Sequence, residues 1–99
     1  MIEDIVKLAK EQKLLVQQAL AAYTPLVEKT IDAPFADQTL IEHTLDGMLD
    51  FCFDDQMLLL FKKLCRYYFT INPQATAFYI NHYREMWDND SIEDKELAI

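Results

Sequence analysis

Apolar residues recur at steps of three and four along the first part of the chain. Ile2, Ile5, Val6, Ala9, Val16, Leu20 and Tyr23 fall on one side of a helical projection, while Lys7, Lys10 and Glu11 fall elsewhere. The spacing predicts one amphipathic helix over 2–23. Thr24-Pro25 then has the form of an N-cap followed by proline at the first helical position, with Glu28 in the turn that follows. A short second helix over 25–31, set at an angle to the first, is expected. A kinked continuation of the first helix is the alternative.

Asp32-Ala33-Pro34 reads as a loop, and Asp37 is suited to cap the next helix. Along 38–53, Ile41, Leu45, Met48, Leu49 and Cys52 share one side, and Glu42, His43, Asp46 and Asp50 share the other. Asp54-Asp55 ends this segment and starts another, because acids at a helix N-terminus complement its dipole. Residues 55–70 carry Met57, Leu58, Leu60, Phe61, Leu64, Cys65, Tyr67 and Tyr68 around most of the circumference, leaving a narrow polar strip of Lys62, Lys63, Arg66 and Thr70. So widely apolar a helix belongs at the centre of the fold. Asn72-Pro73 repeats the cap-then-proline signal and opens a last helix over 73–87, with Ala75, Tyr79, His82, Tyr83 and Met86 expected inside. The acidic tail 88–99 lacks a sustained apolar face and is expected to fray, although Ser91 could cap a last short turn.

The fold expected from this pattern is all-α. It is a compact bundle of four main helices plus one short helix, with an antiparallel hairpin over 38–70. Residues 1–87 form its single domain and 88–99 its tail. In the hairpin register that pivots on Asp54, Asp46 faces Lys62 and Glu42 faces Arg66.

Composition sharpens this reading. Ninety-nine residues make one domain, and 52% hydrophobic residues give it enough material for a core. Gly47 is the single glycine, so neither an all-β fold with frequent turns nor a glycine-rich phosphate loop fits. No apolar run approaches the roughly 18 residues of a membrane span. The opening MIEDIVKLAKEQK lacks the basic and apolar regions of a signal peptide. Two cysteines are too few for the disulfide framework of a small secreted domain. A cytoplasmic protein without a membrane association is expected.

The net charge of −8 is unevenly distributed. Residues 32–55 hold seven acids and no Lys or Arg, whereas 56–87 carry Lys62, Lys63, Arg66 and Arg84 against Glu85. Direct nucleic-acid binding is disfavoured, since counterion release requires many phosphate contacts.

Four constellations could carry chemistry. Glu42, His43, Asp46 and Asp50 combine imidazole with carboxylates, which suits zinc or iron. His43 and Asp50 nevertheless lie about 10.5 Å apart along a helix, too far to share an ion without help from a second helix. A solvated face answered by Lys62 and Arg66 is the favoured reading. The same register sets His43 opposite Cys65, but a cysteine inside a helix on its apolar side is a small hydrophobe rather than a nucleophile. His82, among Tyr79, Tyr83 and Met86, reads as a core histidine sooner than as part of a ligand pocket. Tyr79, Tyr83 and Trp87 run at i, i+4 and i+8 and form an aromatic stripe that either packs on the first helix or meets a partner.

No catalytic set, cofactor site or metal site emerges. The function expected is a small non-catalytic protein-protein interaction or adaptor domain, with homodimerisation one way to bury its apolar load. Tyr79, Tyr83 and Trp87 are its candidate surface. A metal- or ligand-dependent enzyme using Glu42, His43, Asp46 and Asp50 is one alternative. An acidic mimic of nucleic acid that occupies a basic partner, built on the 32–55 stretch, is another.

Overall fold

The computed structural model describes residues 2–88, and within them the protein is all-α. Helix α1 spans Ile2–Asp32, α2 Gln38–Leu49, α3 Asp55–Phe69 and α4 Pro73–Trp87. Among the described residues there is no strand. The expectation for the acidic tail falls, from residue 89 onward, outside the described residues.

Three helix starts follow from local chemistry. The side chain of Asp37 accepts from Leu40 N at 3.1 Å, and that of Asp54 accepts from Met57 N at 3.0 Å. Asn72 does the same for Ala75 N at 3.0 Å, with Pro73 in the first turn. Each satisfies an amide that the first helical turn leaves without a partner.

The separate short helix expected over 25–31 does not exist. Helix α1 runs through Pro25, which sits inside it. Proline there removes a hydrogen bond and crowds the carbonyl four residues back, at a cost of about 3 kcal/mol. Burial offsets that cost. Val16, Leu20, Tyr23, Val27 and Thr30 form one stripe at 3–4 spacing that crosses the proline, and Val27 is fully buried. A break at Thr24 would rotate Val27 and Thr30 off the core.

Helix α3 is the centre, packing against α1, α2 and α4. Tyr68, near its end, reaches Gln38 and Glu42 near the start of α2, so α2 and α3 run antiparallel. Val27, Ile41, Leu45, Met48, Met57, Phe61, Leu64 and Tyr68 make the innermost layer. The buried threonines Thr30, Thr44 and Thr76 return their hydroxyls to the carbonyls of Leu26, Leu40 and Asn72, at 2.7, 2.7 and 2.8 Å. This keeps their polarity out of the core.

The chain is less compact than expected. Its radius of gyration is 15.6 Å, against about 13 Å for a close-packed chain of this length. It is also flat, with extents of 50 × 40 × 17 Å. The cause is α1, in which every residue from Ile2 to Leu15 is exposed. Only its second half, from Val16, packs on the other helices.

Candidate interaction surfaces

The aromatic stripe on α4 grades from inside to outside. Tyr79 is buried, Tyr83 is half-buried and Trp87 is 41% exposed. The Tyr83 ring lies 6.0 Å from that of Phe61, and the Trp87 ring lies 5.6 Å from that of Phe53. The indole Nε1 of Trp87 donates to the carbonyl of Leu49 at 2.8 Å, joining the Cys52 amide, 3.3 Å away, on a carbonyl at the end of α2. The stripe therefore faces α2 and α3. It does not pack on α1, because α1 and α4 are not in contact among the described residues.

His82 and Met86, expected inside, are both exposed. His82 packs instead against Phe78, with ring centroids 4.8 Å apart. The inner face of α4 is rotated toward Thr76, Tyr79, Ile80 and Tyr83. A buried threonine can take this position because its hydroxyl bonds back to its own helix.

The acidic face of α2 is used differently from expectation. Among the described residues Glu42 is held by Tyr68, whose hydroxyl donates to it, and not by Arg66. Asp46 and Glu42 bear on Tyr79, whose hydroxyl burial first, and then these two carboxylates, pushes up to about 12. Tyr68 is likewise pushed up to about 12 by burial and by Glu42. Lys62 and Arg66 stand on the far flank of α3, beside α4. The expected pairs Asp46–Lys62 and Glu42–Arg66 thus give way to phenol–carboxylate contacts. Exposed ion pairs are worth about 0–1 kcal/mol and cannot dictate register against the burial of two tyrosines.

Four of the seven acids in 32–55 have structural partners. Asp37 and Asp54 cap helices, Glu42 holds Tyr68, and Asp46 bears on Tyr79. No three His, Cys, Asp or Glu side chains converge on a point that could hold a metal ion among the described residues. Cys52 and Cys65 are buried free thiols, and burial pushes both up to about 12. His43 is exposed while Cys65 is buried, so imidazole and thiol occupy different environments.

A further exposed apolar surface among the described residues, the first half of α1, was not distinguished by the sequence pattern. Ile2, Ile5 and Leu8 are 78%, 66% and 64% exposed, and Val6, Leu14 and Leu15 are also exposed. Ile2, Ile5, Val6 and Ala9 continue the stripe that packs into the core from Val16 onward. The signal was present in the periodicity of 2–23, but periodicity does not say whether anything covers a face.

The chain matches no family model, no curated protein and no solved structure. Among the described residues no helix is long and apolar enough to cross a membrane.

Proposed function

We propose that this chain is a non-catalytic interaction module that associates with a second copy of itself through the first half of α1. The observation that carries this reading is the projecting arm, whose core-facing stripe continues over Ile2, Ile5, Val6 and Ala9, each of them exposed among the described residues. A row of exposed apolar side chains on a regular helix is a surface to be covered.

The charge order of the arm favours a copy of itself set antiparallel. Glu3 and Asp4 stand in the first turn, and Lys7, Lys10 and Lys13 outnumber Glu11 over the roughly two and a half turns that follow. Two arms laid head to tail bring the acids of each beside the lysines of the other, an arrangement that leaves the apolar stripes face to face. The arm is about 21 Å long, so the contact falls short of the roughly 800 Å² per partner of a stable complex. The association is accordingly weak and reversible. The burial of both thiols supports the non-catalytic part of the reading.

Sedimentation equilibrium of the full chain, from low micromolar to millimolar concentration, tests it. A monomer–dimer equilibrium is expected, abolished by Ile5→Asp with Val6→Asp while helical circular dichroism stays near that of the parent. A monomer across the whole range refutes the reading.

A further inference from the structure

A groove of about 610 Å³ runs between α3 and α4 on the side away from Glu42. Its floor is apolar, formed by Leu58, Phe61, Ile80 and Tyr83, and Phe69 stands 60% exposed at one end. Its rim is cationic. Lys62 and Arg66, one turn apart, line the α3 wall, and Arg84 lines the α4 wall. Asp88 is the acid of the rim, at the end opposite Phe69. In a chain of net charge −8 with nine Lys and Arg, three cations on one groove oppose the charge of the protein as a whole.

We propose that this groove binds an acidic amphipathic helix of a partner protein. From Leu58 to Phe69 the groove extends about 16 Å, the length of three helical turns. An apolar seam on such a helix would lie on the Leu58–Phe61–Ile80–Tyr83 floor. Carboxylates on its two flanks would meet Lys62 and Arg66 on one wall and Arg84 on the other. Cations on both walls suit a ligand with repeated anionic groups. A single-headed amphiphile such as a fatty acid needs one cation and a closed tunnel. The site shares no residue with the arm of α1, so the groove and the self-association stand or fall separately.

The probe is a fluorescein-labelled synthetic helix of about 15 residues, with leucines at i, i+4, i+7 and i+11 and glutamates on both flanks. It is titrated with the full-length protein at low salt. Saturable binding is expected, with ¹⁵N shifts at Leu58, Phe61, Ile80 and Tyr83 and none between Ile2 and Lys13. A Lys62→Gln/Arg66→Gln/Arg84→Gln variant changes only exposed positions and should bind about tenfold more weakly, close to one decade of affinity. Raising the salt should weaken the parent several-fold and the variant little. Equal binding of a lysine-flanked version of the peptide overturns the proposal. So does unchanged affinity of the triple variant with helical circular dichroism intact. Binding of dodecanoate in place of the peptide assigns the groove to a small amphiphile and also overturns it. Shifts at Leu58 and Ile80 that follow protein concentration without peptide make a second copy the occupant, with the same consequence.

Discussion

The phenol of Tyr23, on α1, occupies the space where a side chain at position 47 of α2 would begin. A β-carbon built on Gly47 overlaps the Tyr23 hydroxyl and lies 3.2 Å from Cζ. The one glycine of the chain therefore lets α1 and α2 approach each other in mid-helix, where glycine normally costs about 1 kcal/mol relative to alanine. Gly47→Ala should reverse the usual sign and destabilise the protein by about 1 kcal/mol. In a Tyr23→Phe background, with the overlapping oxygen gone, the same substitution should be neutral or stabilising. Urea denaturation of the four proteins measures the coupling; additive effects would show that the two residues do not meet.

Trp87 is the only tryptophan, and its indole closes the end of α2 through the Leu49 carbonyl. Trp87→Phe keeps a ring against Phe53 but removes the donor. A loss of about 1 kcal/mol is expected in thermal or urea unfolding, the ordinary net value of one neutral hydrogen bond. Unchanged stability would mean that water replaces the indole at no cost.

Pro25→Ala tests whether the continuity of α1 is imposed from outside the proline. Alanine restores the missing amide and removes the clash, which favours the helix by about 3 kcal/mol, while freeing the unfolded chain returns roughly 1 kcal/mol of that. A rise in melting temperature is expected. A fall would mean that the proline shapes α1 in a way the core requires.

Alkaline pH should unfold the protein through its tyrosines. Tyr68 and Tyr79 ionise at about 12 in the folded chain, against an ordinary value of 10, and Tyr83 is raised in the same direction by burial. Raised folded values mean that the folded state retains protons which the unfolded state has released. This stabilisation is complete below pH 10 and is lost as pH climbs from there through about 12. Absorbance at 295 nm should show an early step from accessible tyrosines, then a late one coincident with loss of helical circular dichroism. A single step near pH 10 with the helix intact would contradict the burial of Tyr68 and Tyr79.

What could be read from the sequence divides by the range of the interactions. The caps Asp37, Asp54 and Asn72-Pro73 act within three or four residues, and the starts of α2, α3 and α4 fall where those residues imply. The core positions Ile41, Leu45, Met48, Phe61 and Leu64 were equally legible, because each has apolar neighbours a turn away. Pro25 misled because its local signal is strong, whereas the stripe that overrides it needs Val27 and Thr30 to be weighed with Val16 and Leu20. Helical spacing from Tyr79 and Met86 puts His82 inside, whereas the buried position is taken by Thr76, a polar residue that its back-bond to Asn72 makes admissible in the core. The approach of Asp46 to Tyr79 depends on where α4 lies, which no spacing within α2 and α3 specifies. The cationic groove was half visible in the surplus of Lys and Arg over 56–87. Gathering Arg84 beside Lys62 required the fold.

The uninterrupted course of α1 gives the molecule a mechanical property. Ile2 and Thr30 lie equal distances on either side of Val16, about 21 Å each way at 1.5 Å per residue. Val16 is where the helix first enters the core, so it acts as the fulcrum of a lever with matched limbs. A load on the free limb therefore presses Val27 and Thr30 against side chains packed too densely to yield gradually. Capture of the first turns would thus be felt as strain around Val27, on the opposite side of the pivot from the point of contact.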